Sequence, residues 1–383
     1  MNPLKRLQEF GQSVWYDNIE RKMLRSGELA GMIENDGLRG ITSNPTIFEK
    51  AIAASKDYDE ALARFSRGAH KPDVREAFFS LAIEDIQAAA DLLSPVYKSS
   101  QGQDGMVSLE VSPDLAYDTE ATVAEALSLW KRVGRANLMI KVPATREGVV
   151  AFEKLTAEGL NVNVTLLFSV ERYKAVTEAY IAGLDARLRR GLPVSGIASV
   201  ASFFVSRVDS TVDKLLDERI AKATGPEREQ LQNLQGKIAI ANAKVAYEWY
   251  QHLFNSPRFD NLKQAGAAAQ RLLWASTGVK NPNYSDVMYI ETLIGPHTVN
   301  TIPPATYAAY KQHGRPQTTL LTGWDEAHAQ LAALKTAGLD LAAITQQLED
   351  EGVKSFAKSF DNLLAAIATK LSAFHNTNVR AAG

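Results

Sequence analysis

Lys141 stands inside Asn137-Leu138-Met139-Ile140-Lys141-Val142-Pro143, a short run of strand-forming, mostly apolar residues with no carboxylate beside the lysine in sequence. An ordinary lysine titrates near 10.4 and is free amine in only about 4 of 10,000 molecules at pH 7, but desolvation can lower that value by several units. A drop to about 7 raises the nucleophilic fraction roughly a thousandfold. A free amine attacks a ketone or aldehyde to give a Schiff base, and the protonated imine then draws electrons from a nearby carbon–carbon bond. The alternative without chemistry is an edge strand whose lysine packs its stem and extends its head into solvent.

Other chemistries are poorly supplied. The chain has no cysteine, which excludes disulfides, a thiol nucleophile and thiolate metal ligands. His70, His252, His297, His313, His328 and His375 lie far apart, with neither His-x-His nor His-Glu-x-x-His spacing, and read as surface or hydrogen-bonded core residues. No metal and no cofactor are expected. A net charge of -2 with scattered lysine and arginine leaves no footprint for nucleic acid, although one pocket for a small anion needs only two or three cations. Neither a signal peptide after Met1-Asn2-Pro3-Leu4-Lys5-Arg6 nor a membrane-length apolar run is seen, so a cytoplasmic protein is expected.

Eight segments have strand character: Gln12 to Asp17, Leu38 to Asn44, Met106 to Val111, Asn137 to Val142, Asn161 to Leu167, Ile197 to Val205, Arg271 to Ser276 and Thr298 to Ile302. Helical periodicity lies between them, at Val74 to Leu93, Asp118 to Val133, Arg146 to Glu158 and Ser169 to Arg190. This alternation implies parallel strands with helical crossovers, and eight of them fit an α/β (β/α)₈ TIM barrel. An open doubly wound sheet would carry a glycine-rich first turn, and no Gly-x-Gly-x-x-Gly occurs. The whole chain, 1–383, reads as one barrel domain with a core over about 12–315. Extra helices follow the sixth strand, over about 208–255, as two long helices broken at Gly225-Pro226. A C-terminal helical extension over about 320–375 has expected breaks at Gly323, Gly338 and Gly352, and Asn376 to Gly383 is expected to fray.

Alternation along each strand sends residues i, i+2 and i+4 to one face. Lys141 then points into the barrel with Met139, while Leu138, Ile140 and Val142 face the helices. Glu110 turns inward with Ser108, and Asn161, Asn163 and Thr165 do so in the fifth strand. Thr42 with Asn44, Ser13 with Trp15 and Asp17, Ser202 with Phe204, and Trp274 with Ser276 share inward faces in the others. A buried lysine, glutamate and aspartate with several amides is costly unless the groups serve each other and a ligand. A plain buried Glu110–Lys141 ion pair is the structural alternative. The set suits carbonyl chemistry through an imine, with carboxylates moving the protons.

Three segments resemble the transaldolase family, in particular its larger bacterial branch. Gly40-Ile41-Thr42-Ser43-Asn44-Pro45 is similar to its Thr-x-Asn-Pro signature, and Ile140 to Gly148 resembles the segment of its Schiff-base lysine. Gly159-Leu160-Asn161-Val162-Asn163-Val164-Thr165-Leu166-Leu167-Phe168-Ser169 resembles a third family segment, and the likeness runs from about Gln12 to Tyr310. It implies a class I aldolase-like barrel whose Lys141 forms an imine with a ketose phosphate, fructose 6-phosphate or sedoheptulose 7-phosphate. A dihydroxyacetone unit then passes to an aldose phosphate, glyceraldehyde 3-phosphate or erythrose 4-phosphate. By the same resemblance Asp17 handles the hydroxyl proton at bond cleavage, and Glu110 with Thr165 positions a water. Asn44, Asn163, Thr42, Ser202 and Phe204 meet the substrate. Arg207 and Ser276 match phosphate-binding residues, but the arginine expected two residues after that serine is Gly278, leaving Lys280 to supply charge as a point cation. Sugar phosphates are the implied partners, and a homodimer is compatible. Fructose 6-phosphate aldolases of the same superfamily usually carry glutamine and tyrosine where this chain has Glu110 and Phe204. A catalytically silent sugar-phosphate-binding barrel is the third reading.

Overall fold

The computed structural model describes residues 2–66 and 73–382, leaving aside the side chains of 54 and 376–382. Eight strands, β1 (Gln12–Tyr16), β2 (Gly40–Ile41), β3 (Met106–Glu110), β4 (Leu138–Pro143), β5 (Val162–Leu167), β6 (Ser199–Phe204), β7 (Arg271–Ala275) and β8 (Thr298–Ile302), close a parallel barrel in chain order. β8 returns to β1 with Gln12 opposite Thr298 and Tyr16 opposite Ile302. All eight expected strands are present. The largest difference is β2, which pairs over only Gly40–Ile41 instead of Leu38 to Asn44. The indole of Trp15 fills the barrel beside it, where a Cβ on Gly40 would lie 2.5 Å from the ring. Beyond Ile41 the chain turns at once into the helix Pro45–Ala54, which Asn44 caps through Oδ1 to the Ile47 N–H at 3.0 Å.

The crossover helices begin and end where local chemistry directs. Asp118 caps Thr119–Val133 and Thr145 caps Arg146–Glu158, and left-handed Gly134 and Gly159 end them. Ser169 caps Val170–Arg189. Their inner faces and the outer faces of the strands form one continuous apolar core. Among the described residues no helix is long and apolar enough to cross a membrane.

Two expectations about the added helices are corrected. Between β6 and β7 the chain forms Ser206–Ile220, Gly225–Gln232 and Ile238–Phe254, then Pro257–Gln264, where two long helices were expected. Pro226 lies in the first turn of the second helix as anticipated. The additional break arises because Asp213 and Asp209, on Ser206–Ile220, accept the N–H groups of Gly236 and Ala239 at 2.9 and 2.7 Å and so start a new helix there. In the C-terminal extension Gly323 and Gly338 are left-handed and delimit Trp324–Thr336. Gly352 breaks nothing and lies inside Leu341–Ala382, a helix of 42 residues. That helix also runs through most of the segment expected to fray, while Gly383 and His70 lie outside the described residues.

Candidate active site

The strand ends converge on a cavity of about 400 Å³ at the C-terminal mouth of the barrel, where this fold places reactive groups. Its wall includes Asp17, Thr42, Asn44, Lys141, Thr165, Ser202, Phe204, Arg207, Ser276 and Lys280, so ten of the twelve candidate residues meet in one space. A larger groove of about 1010 Å³ lies between the inserted helices and Trp324–Thr336. It shares no residue with the mouth, its lining mixes Arg219, Lys222, Lys237, Glu227 and Glu326 with Ala329, Ala333 and Ala337, and none of the twelve candidate residues reaches it.

Lys141 is 4 % exposed, and its Nζ donates to the Ser43 carbonyl oxygen at 3.1 Å and lies 3.2 Å from Glu110 Oε2. The register that puts Glu110 of β3 beside Lys141 of β4 sets this pair. The ion contact is not an aligned hydrogen bond, and Glu110 Oε2 is buried without one. Thr165 Oγ1, on the neighbouring strand β5, is likewise buried without a partner. A buried polar atom without a hydrogen bond is expensive, and Thr165 brings one to the wall of the cavity that Lys141 lines.

Asp17 follows β1 and accepts a hydrogen bond from Thr42 Oγ1 at 2.6 Å, and Thr42 also meets Thr301 Oγ1 at 2.6 Å. Burial raises the Asp17 carboxyl above the ordinary aspartate range, and Lys141, the Thr42 bond and Arg207 pull it partly back. Burial also raises Glu110, with Lys141 opposing and Asp17 adding to the rise. Two carboxyls of raised pKa near one amine have the chemistry to hold and pass protons.

Asn163 and Glu110 stand behind the cavity wall. Asn163 is fully buried, donating to Ser108 Oγ at 3.0 Å and accepting from Ser202 Oγ at 2.7 Å, so it fixes Ser202 from beneath. Asn44 spends its oxygen on the helix cap and lines the cavity.

Strand parity fails at β7. Trp274 was expected to share the inward face with Ser276, but it packs outward on Phe203 and donates to the Leu293 carbonyl oxygen at 2.9 Å. Ser276 lies past the strand end with φ +55, and this left-handed turn carries it to the cavity, 2.9 Å from Ser206 Oγ. Leu166, at φ +56, marks a similar irregularity in β5. Of four non-glycine residues with positive φ, these two sit at the mouth, where strain is commonly stored at functional sites.

Arg207 is half-buried and makes no hydrogen bond or ion pair among the described residues. Its guanidinium lies 5.3 Å from the Phe204 ring and 6.0 Å from Phe356, and burial lowers its pKa against the pull of Asp17 and Glu351. The wall residues that sequence reasoning missed include Lys50 and Phe356. Lys50 lies four residues after Thr46 on one face of Pro45–Ala54, a spacing that was readable. Phe356 arrives on the distant C-terminal helix with no local signal. Among the described residues no group of three or more His, Asp or Glu side chains is gathered as a metal site.

A parallel barrel with a buried amine between two carboxyls defines a class I, Schiff-base type of enzyme. A family model described as Transaldolase/Fructose-6-phosphate aldolase matches residues 14–367, and the chain belongs to that family. It is 49% identical over 367 residues to a transaldolase of Thiobacillus denitrificans, covering 96% of this chain and 100% of the relative. It is also 49% identical over 374 residues to one of Thermobifida fusca, covering 97% and 99%, and 45% identical over 373 residues to one of Trichodesmium erythraeum, covering 97% and 98%.

Proposed function

We propose that the mouth of the barrel transfers a dihydroxyacetone unit between sugar phosphates through an imine on Lys141. The observation that carries this reading is the Lys141 amine, buried at the cavity wall with the Glu110 carboxylate at 3.2 Å and the Ser43 carbonyl oxygen at 3.1 Å. Nζ adds to the ketone carbon of a ketose phosphate such as fructose 6-phosphate or sedoheptulose 7-phosphate, and loss of water gives the iminium. A water held by Glu110 Oε2 and Thr165 Oγ1 satisfies both orphaned atoms and moves these protons. Asp17 takes the proton of the β-hydroxyl, the bond between the α and β carbons breaks, and its electrons flow into the iminium. An aldose phosphate leaves. The dihydroxyacetone enamine stays on Lys141 and attacks the aldehyde of glyceraldehyde 3-phosphate or erythrose 4-phosphate, reversing the steps. Thr42, Asn44 and Ser202 hold hydroxyls, with Asn163 behind Ser202.

Arg207, which makes no ion pair among the described residues, takes the phosphate together with Ser276. Gly278 has no side chain where the resemblance implies arginine, but Lys280 Nζ comes 3.9 Å from the point a Cβ there would occupy. Lys280 and Lys50 on the wall supply the remaining charge. Phe204 offers no hydroxyl to protonate the enamine, which favours transfer over free release. The cytoplasm is the compartment of this reading, with sugar phosphates as partners.

Borohydride reduction in the presence of fructose 6-phosphate, followed by peptide mass spectrometry, tests it. The expected result is a dihydroxyacetone-derived adduct on Lys141. No adduct, or one on another lysine, would sink the mechanism.

A further inference from the structure

Leu341–Ala382 lies across the barrel mouth and is fastened on both sides of it. Glu349 pairs with Arg172, behind β5, at 3.2 Å. Ser359 meets Thr46 at 2.9 Å and Asn362 donates to Glu49 at 3.1 Å, both behind β2, three strands away around the ring. Further along, Lys370 donates to the Ser55 carbonyl oxygen at 2.6 Å and to Asp59 at 2.8 Å. Between the first two anchors lie Gly352 and, one turn later, Phe356.

A glycine inside a helix costs about 1 kcal/mol relative to alanine, so its position asks for a reason. A Cβ at Gly352 would lie 2.9 Å from Leu166 Cδ2 and 3.7 Å from Arg207 Nη1. Its absence lets the helix descend onto the mouth. Phe356, 4 % exposed, then lies 5.8 Å from Lys141 Nζ and 6.0 Å from the Arg207 guanidinium, which it clamps against Phe204.

We infer that Phe356, lowered into place by Gly352, determines the fate of the lysine-bound intermediate by keeping bulk water off it. The inference rests on the transfer reading given above. Loss of the intermediate needs a proton on the enamine carbon and a water on the resulting iminium carbon. The carbon–nitrogen bond then breaks, dihydroxyacetone leaves and Lys141 regains its amine. Transfer differs at one step: the enamine carbon bonds to the acceptor aldehyde instead of taking a proton, and the product iminium is then hydrolysed from Lys141 as in the first route. An apolar ring that keeps bulk water, the proton source, from the enamine carbon therefore suppresses the first route selectively.

The experiment uses the full chain with fructose 6-phosphate, measuring dihydroxyacetone released without acceptor against transfer to erythrose 4-phosphate. Phe356→Ala is expected to raise the release-to-transfer ratio about tenfold, and Phe356→Leu to restore most of the wild-type ratio. Gly352→Val, which lifts the helix and leaves the ring intact, is expected to raise the ratio in the same direction, and it carries the test if Phe356→Ala does not fold. A folded variant with an unchanged ratio, or equal loss of release and transfer, overturns the inference. Wild-type protein that transfers nothing fails the transfer reading instead, so the two failures are distinguishable.

Discussion

At the N-terminal end of the barrel, Arg271 donates to Ser13 Oγ at 3.0 Å and to Asp104 Oδ1 at 3.1 Å, and also to the Gln103 carbonyl oxygen. Asp104 in turn accepts from Ser13 Oγ at 2.8 Å and Trp15 Nε1 at 3.3 Å. At the C-terminal end Arg207 has aromatic faces and no acceptor among the described residues, Glu110 Oε2 has only the ion contact with Lys141, and Thr165 Oγ1 has no hydrogen-bond partner. Both ends hold an arginine beside carboxylates, so composition does not separate them; the pairing of the arginine does. The Arg271 cluster is paired and closes the floor, although Gln12 Oε1 and Gln270 Oε1 at the same end have no partner. Arg207 at the mouth keeps its hydrogen-bonding capacity open among the described residues.

The sharpest way to break this contrast is to remove one group from each end. Lys141→Ala is expected to lower transfer at least about 10,000-fold in the folded protein, since the amine is the covalent nucleophile. A folded Lys141→Ala protein with full activity would refute the assignment. Arg271→Met should do the opposite. It strands Asp104 in the floor, so a loss of about 3 kcal/mol in denaturant unfolding is expected, with kcat per folded molecule unchanged. Equal effects of the two substitutions on activity would erase the distinction between the ends.

Period-two alternation made the inward placement of Lys141, Glu110, Asp17, Thr42, Thr165 and Ser202 legible, because a strand of fixed register allows only two faces. It misled at Trp274 and Ser276, where a positive φ beyond the strand end resets the parity. Gly352 was read as a helix break from propensity, but anchors on either side hold the helix and close approach to Leu166 uses the missing Cβ. Phe356 was beyond reach for a related reason: nothing local marks which turn of a 42-residue helix crosses a distant barrel mouth.

A third group tests what pairing means without a counter-ion. Asp209, just after Arg207, accepts from the Ala239 N–H at 2.7 Å and the Tyr289 hydroxyl at 2.9 Å, and its neighbour Asp213 accepts from Tyr284 and Gly236. Burial pushes Asp209 from its usual 3.8 up to about 7; the Ala239 and Tyr289 hydrogen bonds oppose the rise and the Asp213 charge adds to it. Between those values the native state keeps a proton that the unfolded chain has released. Stability therefore falls as pH rises through about 4 to 7 and is flat in this contribution above it. Asp209→Asn should flatten the profile, so that wild type loses roughly 4 kcal/mol more than the variant across that window. Parallel stability profiles for the two proteins would show that Asp209 does not titrate there.

Arg207→Lys probes the same contrast with the smallest change, because it keeps the charge and removes the fork. A guanidinium held between Phe204 and Phe356 presents a planar edge with two parallel donors, whereas an ammonium is a single compact charge with no face to stack. If the open end of the barrel exists to receive a phosphate, the loss falls on binding of the phosphorylated substrate. KM for fructose 6-phosphate should rise about tenfold with kcat within about twofold, and the borohydride adduct on Lys141 should still form at saturating substrate. Stability should hardly move, since Arg207 has no protein acceptor to lose, in contrast to Arg271 on the floor. A fall in kcat at constant KM would instead place Arg207 at the reacting bond and not at the phosphate.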